Sequence, residues 1–171
     1  MMHFKEQSTE KPQFKAETLA EVNRIMAQYP EGKQKSALLR VLHIAQEEFG
    51  GWLSVGTMNY VAELLSIKPI EVYEVASFYS MYNLKPVGKY VFEFCHTATC
   101  EPSAKKVIDY TCQKLGIKSG ETTSDGLFTI KEVECLGACG YAPMMQLGHS
   151  YREHLTETKI DEIINECKAK A

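Results

Sequence analysis

No apolar run in the sequence approaches the ~20 residues that cross a bilayer, so direct membrane insertion is not expected. The opening stretch MMHFKEQSTEKPQFKAE lacks the apolar core of a signal peptide and has no twin-arginine pair. Its glutamates also argue against a mitochondrial transit sequence, and a cytoplasmic location is expected. Concentrated positive charge is missing too: basic residues are scattered, with no patch beyond Lys105 and Lys106, and the formal charge is −3. This excludes the electrostatic footprint of a nucleic-acid binder, and no nucleic-acid partner is expected. A Ser-His-Asp grouping, a Gly-rich phosphate loop and paired acid/base carboxylates are absent as well. Hydrolase and nucleotide-binding chemistry therefore have no support, and no catalytic residue is assigned.

What the sequence does hold is enough apolar material for a core. Apolar residues make up 44% of the 171 positions and charged residues 24%, which suits one folded domain or two small ones and argues against wholesale disorder. Residues 1–16 are polar and without periodicity, and read as a mobile tail. From Glu17 the pattern is helical, with Leu19, Val22, Met26 and Tyr29 at three- and four-residue spacing until Pro30 and Gly32 interrupt it. A second helix runs through Leu38, Leu42, Ala45 and Phe49 to Gly50-Gly51, which suit a left-handed cap. Ser54 can cap a third, with Val55, Met58, Ala62 and Leu65 facing inward, and Pro69 fits the first turn of a fourth. That fourth segment, IEVYEVASFYSMY, puts Tyr73, Ala76 and Tyr79 on a core-facing stripe. Phe78 and Tyr82 fall on a neighbouring face, leaving apolar surface for packing against another domain or protein.

After NLKPVGKY the period changes. KYVFEFC alternates as a strand, PSAKKVIDYTCQKLG is an amphipathic helix and LFTIKEVEC is a second strand. MMQLG and SYREHL read as two short strands joined through Gly148 and His149, and TETKIDEIINECKAK as a closing helix. The expected fold class is α+β, with a helical bundle over residues 17–83 followed by an α/β domain over 84–171.

Six cysteines in a cytoplasmic chain point to metal binding or catalysis more than to a disulfide framework. Four of them form C-x4-C at Cys95 and Cys100, thirty-four intervening residues, then C-x3-C at Cys135 and Cys139. Each pair lies just past a predicted strand, and neighbouring strand ends can present four thiolates to one site. Such a set suits zinc or an iron–sulfur cluster. The small residues Gly137, Ala138 and Gly140 around one pair, and Thr97, Ala98 and Thr99 inside the other, favour a cluster, because backbone N–H groups can approach the sulfurs. A thioredoxin-type dithiol would use C-x2-C, which neither pair has. His96 could be a zinc or Rieske-type ligand, but a Rieske centre needs two histidines and the other cysteine loop has none. It reads as a loop residue beside the site. Cys112 and Cys167 continue the apolar stripes of their helices and read as small buried hydrophobes.

The runs PVGKYVFEFCHTATC and VECLGACGYAPMMQL, with VYEVASFYSMYNL and GGWLS before them and YREHLT after, resemble the small, NuoE-type [2Fe-2S] subunit of respiratory complex I. Relatives of that subunit occur in NAD-linked hydrogenases and formate dehydrogenases. The resemblance implies a helical bundle joined to a thioredoxin-like ferredoxin domain, with one [2Fe-2S] cluster on Cys95, Cys100, Cys135 and Cys139. It further implies an electron carrier within an NADH:quinone oxidoreductase, peripheral to the inner membrane through the assembly. The partner would be a flavoprotein subunit that carries FMN and oxidises NADH. The alternatives are the equivalent subunit of a hydrogenase or formate dehydrogenase, a structural zinc module or a dithiol oxidoreductase. One departure is EPSAKK after Cys100, where the family often has a Gly-containing segment.

Overall fold

The computed structural model describes residues 12–171, and the chain divides into two compact units between Pro86 and Val87. Most of the expected N-terminal tail, residues 1–11, lies outside the described residues. Its last part is not free: Phe14 is buried, stacks on Phe49 and meets Tyr60 edge-on, and its N–H donates to the Tyr60 hydroxyl at 3.2 Å.

The first unit contains α1 (Ala16–Met26), a 3-10 turn over Gln34–Ala37, α2 (Leu38–Glu48), α3 (Val55–Leu65) and α4 (Pro69–Phe78). Local chemistry sets the ends. Gly50 and Gly51 both take left-handed φ, at 88° and 83°, and turn the chain out of α2. Ser54 Oγ accepts the Thr57 N–H at 3.0 Å, a cap worth about 1 kcal/mol. Pro69 stands in the first turn of α4, where Glu71 reaches back to accept the Lys68 N–H at 2.9 Å. Val22, Val41, Leu42, Ala45, Val61, Leu65 and Val72 close the core.

Three expectations need correction here. Val55 is exposed, because the first residue of α3 lies above the packed layer. The aromatic stripe ends early: α4 stops at Phe78, so the helical period no longer governs Tyr79 and Tyr82. Tyr79 is left exposed, while Tyr82 turns inward to 4% exposure and its hydroxyl donates to Leu39 O at 2.9 Å. Surplus apolar surface does exist, at Phe78, which is 79% exposed.

The second unit runs β1 (Tyr90–Cys95), α5 (Glu101–Leu115), β2 (Phe128–Val133), a 3-10 turn over Cys139–Tyr141, β3 (Met145–Leu147), β4 (Ser150–Arg152) and α6 (Glu157–Ala169). Its sheet order is β2-β1-β3-β4, with β1 and β2 parallel and the other pairs antiparallel. Alternation decides the faces. Phe92, Phe94, Phe128, Ile130 and Met145 share one core with Ala104, Val107 and Ile108 of α5 and Ile160, Ile163, Ile164 and Cys167 of α6. Glu93 sits beside Lys131 in register, on the alternate face, and pairs with it at 3.5 Å. Cys167 is buried as expected, but Cys112 is only half-buried. Among the described residues the result is six α-helices and a four-stranded mixed sheet, an α+β fold.

Candidate metal centre

Parallel pairing of β1 and β2 sets Cys95 beside Val133, so the two chains leave the sheet together at their C-terminal ends. Cys95 is the last residue of β1, and Cys135 lies two residues past β2. The turn from Cys95 is short: the N–H groups of Cys100 and Glu101 both donate to Thr97 O, at 2.7 and 2.8 Å, and Cys100 becomes the N-cap of α5. EPSAKK is therefore the opening of a helix, and Pro102 fits its first turns. The positive end of the α5 dipole lies at Cys100, where it favours negative charge. Cys139 opens the 3-10 turn that follows the second loop.

The four thiols meet different surroundings. Cys95 and Cys100 are both 1% exposed, whereas Cys135 and Cys139 are open to solvent. Burial pushes the Cys95 thiol up, but hydrogen bonds from the Thr97 hydroxyl at 3.5 Å, from the Leu136 backbone N–H and from Cys100 outweigh it and hold it below its ordinary value. Cys100 is pushed up by burial first, then by its hydrogen bond to Cys95 and by the charges of Cys95, Cys139 and Cys135. His96 is turned to carboxylates, with Nδ1 at 3.1 Å from Glu132 and Nε2 at 4.0 Å from Glu101. It belongs to the first cysteine loop, and Glu132 is the carboxylate within hydrogen-bonding distance of its ring.

The second loop is held by Gly137, whose small size the sequence pointed to, and by groups that the sequence did not flag. Gly137 takes φ +73°, and its N–H donates to Cys135 Sγ at 3.3 Å. Tyr151 of β4 donates its hydroxyl to Leu136 O at 2.7 Å. His154 N–H donates to Tyr141 O at 2.9 Å and Leu155 N–H to Pro143 O at 2.8 Å, so the segment after β4 braces the stretch after Cys139. No motif marks Tyr151. Only the β3–β4 register, which carries it past Gln146, brings it to the loop.

Donor chemistry and spacing test what these thiols fit. By donor type alone, four thiolates suit either zinc or an iron–sulfur cluster. Four thiolates spread over two loops, with backbone N–H groups on Cys95 and Cys135, fit a [2Fe-2S] cluster, whose two irons share four cysteines.

Comparison with known proteins agrees. The family described as thioredoxin-like [2Fe-2S] ferredoxin matches residues 22–168. The E-type subunit of NADH-quinone oxidoreductase from Rickettsia felis is 47% identical over 143 residues, covering 83% of this chain and 86% of that protein. The mitochondrial NADH dehydrogenase [ubiquinone] flavoprotein 2 of Dictyostelium discoideum is 42% identical over 156 residues, 91% of this chain and 63% of that one. An NAD+-reducing [NiFe]-hydrogenase in the air-oxidized state superposes with a TM-score of 0.67 at 21% identity, over 78% of this chain and 23% of the hydrogenase chain. That likeness is one of fold alone. With the family matched across both units, the chain belongs to the thioredoxin-like [2Fe-2S] ferredoxins, and its cofactor is one [2Fe-2S] cluster.

Proposed function

We propose that Cys95, Cys100, Cys135 and Cys139 hold the cluster, and that the chain is the electron-transfer subunit of an NADH:quinone oxidoreductase. What supports the assignment of ligands is the parallel pairing of β1 and β2, which leads the chain into both cysteine loops at the same end of the sheet. The assembly is supported by the Rickettsia relatives, NADH-quinone oxidoreductase subunits that match most of both chains. A fold likeness at 21% identity does not favour the hydrogenase setting over this one.

A [2Fe-2S] cluster supplies storage for one electron at a time, which complements a flavin that receives a hydride from NADH. This chain's residues divide the remaining work. Cys95 and Cys100 exclude water from one side of the centre, and the N–H groups of Leu136 and Gly137 are placed to stabilise negative charge on sulfur. Cys135 and Cys139 face solvent, the side from which a partner approaches. That partner is an FMN-binding, NADH-oxidising subunit, and the assembly keeps this chain peripheral to the membrane on the cytoplasmic side. Among the described residues no helix is long and apolar enough to cross a membrane.

Anaerobically purified protein is expected to be reddish-brown with two irons and two labile sulfides per chain; a colourless preparation with stoichiometric zinc would overturn the cluster assignment. The partner is tested by co-purification with the flavoprotein. The full chain forms a one-to-one complex, and a chain beginning at Val87 keeps its cluster but binds far more weakly, because exposed Phe78 and its neighbours in the helical unit add apolar docking surface. Equal recovery of both forms would assign the interface to the second unit alone.

A further inference from the structure

Tyr151 lies outside every cysteine motif, yet it is joined to Cys135 through a single peptide group. Its hydroxyl donates to the Leu136 carbonyl at 2.7 Å, and the N–H of that same peptide unit, carried by Gly137, donates to Cys135 Sγ at 3.3 Å. Hydrogen bonds in series polarise one another: a donor on the carbonyl draws electron density from the amide and makes its N–H a stronger donor. Gly137 permits the arrangement. Its φ of +73° is strained for other residues, and nothing lies within 4 Å of where a Cβ would stand, so backbone conformation rather than crowding calls for glycine.

We propose that Tyr151 is a positioning residue that raises the reduction potential of the cluster by polarising the Leu136–Gly137 peptide toward Cys135 Sγ. The proposal rests on the reading of Cys135 as a cluster ligand. One-electron reduction adds one negative charge to the centre and breaks no bond. A stronger N–H donor at a ligand sulfur therefore stabilises the reduced form more than the oxidised form. Tyr151 is 47% exposed on an edge strand, so losing its hydroxyl removes the relay without opening the core.

The test is an EPR-monitored redox titration of the full-length, cluster-loaded chain, with dithionite as electron donor. Cys135→Ser comes first: an unchanged spectrum with two irons retained would sink the ligand assignment itself. Given that assignment, Tyr151→Phe keeps two irons per chain and moves the midpoint to more negative potential. A threefold fall in the one-electron reduction constant is expected, about 28 mV at 59 mV per tenfold. Replacing Tyr151 alone by 3-fluorotyrosine, whose more acidic hydroxyl is the better donor, moves the midpoint the other way at neutral pH. Opposite shifts are the signature of polarisation. An unmoved midpoint in either variant, or shifts of the same sign in both, would overturn the proposal. If Tyr151→Phe loses the cluster, the fluorotyrosine chain, which keeps the hydroxyl, decides alone.

Discussion

The two cysteine loops proposed to hold the cluster rest on opposite kinds of support. The first, Cys95 to Cys100, is built into the core: it begins on the last residue of the central strand β1, ends on the N-cap of α5 and buries both thiols. The second, Cys135 to Cys139, leaves the outer strand β2, exposes both thiols and is tied down by hydrogen bonds from Tyr151 and from the chain after β4. One half of the proposed centre is therefore fixed by the packing that folds the domain, and the other by a few polar contacts at its surface. Assembly and electron exchange both need access, and the second loop supplies it. The first supplies a seat that does not move.

Substituting the ligands is the strongest way to break this contrast. Cys→Ser at 95, 100, 135 or 139 removes the cluster or changes its spectrum, because a serine alkoxide is a far poorer ligand for iron than a thiolate. Stability without iron separates the loops. Cys95→Ser and Cys100→Ser put a hydroxyl where the side chain is 1% exposed and cost about 1–3 kcal/mol in urea unfolding of the cluster-free protein. Cys135→Ser and Cys139→Ser stay within about 0.5 kcal/mol. Cys112→Ser and Cys167→Ser are the controls and leave the spectrum intact; iron loss from either would mean that the ligand set is wrong.

Removing iron by anaerobic chelation sharpens the same contrast without a mutation. Amide hydrogen exchange over residues 135–141 is expected to accelerate at least tenfold, since this loop has few buried contacts once the cluster no longer joins it to Cys95 and Cys100. Cys95, His96 and Cys100 change far less, because their amides bond to Met144 O, Val133 O and Thr97 O and the Cys95 and Cys100 thiols remain in the core. Equal acceleration in both loops would show that the cluster, not the core, holds the first one.

Why the sequence disclosed one loop better than the other follows from the same physics. Strand alternation in YVFEFC and the helical stripe in α5 are local signals, so they located the first loop and both of its anchors. C-x3-C marked the second pair, but the hold on it comes from Tyr151, sixteen residues beyond Cys135 on a three-residue strand too short to carry a pattern. The aromatic stretch after α3 misled for a related reason. The helical period of the residues continues past Phe78, nothing in them announces that α4 ends there, and Tyr82 is turned inward by the Leu39 carbonyl, forty-three positions away. Cys112 lies on the apolar stripe of α5 but toward its border, which periodicity does not resolve.

The root of the first loop gives a smaller handle. Gly88 stands just before β1, where a Cβ would meet the Leu127 carbonyl and Phe128 C at 2.9 Å, and its N–H donates to the buried Thr129 hydroxyl at 2.6 Å. The contact is with backbone, which cannot rotate away. Gly88→Ala should destabilise the protein by about 1–3 kcal/mol through forced separation of β1 from the chain entering β2. Thermal unfolding with and without the cluster would measure it. If β1 roots the centre, the loss persists in both forms; a cost confined to the cluster-free chain would mean that the cluster re-forms the strand pairing.

The smallest effect concerns α5, the helix that Cys100 opens. Its far end is clamped to α6 through Asp161, which accepts Lys114 Nζ at 3.0 Å and the Tyr110 hydroxyl at 2.9 Å. Lys114 first and Tyr110 second hold the Asp161 carboxyl below its ordinary 3.8. In return Asp161 raises both partners, Tyr110 above 10.0 and Lys114 above 10.5. The signs follow from linkage. A depressed carboxyl contributes stability that is present above its unfolded value and is lost as pH falls through the lower folded value. The raised phenol and ammonium contribute stability present below their unfolded values and lost as pH rises through the higher folded ones. The clamp therefore works across the neutral range and fails at both ends, and because Lys114 is exposed and Tyr110 and Asp161 are only half-buried its contribution is small. Asp161→Asn should lower the urea midpoint slightly between about pH 5 and 9, with the difference from wild type shrinking below about pH 4 and again above about 10.5. Raising salt should shrink it as well. A difference independent of pH and salt would assign Asp161 a packing role, and would leave α5, and with it the first loop, fixed by its apolar face alone.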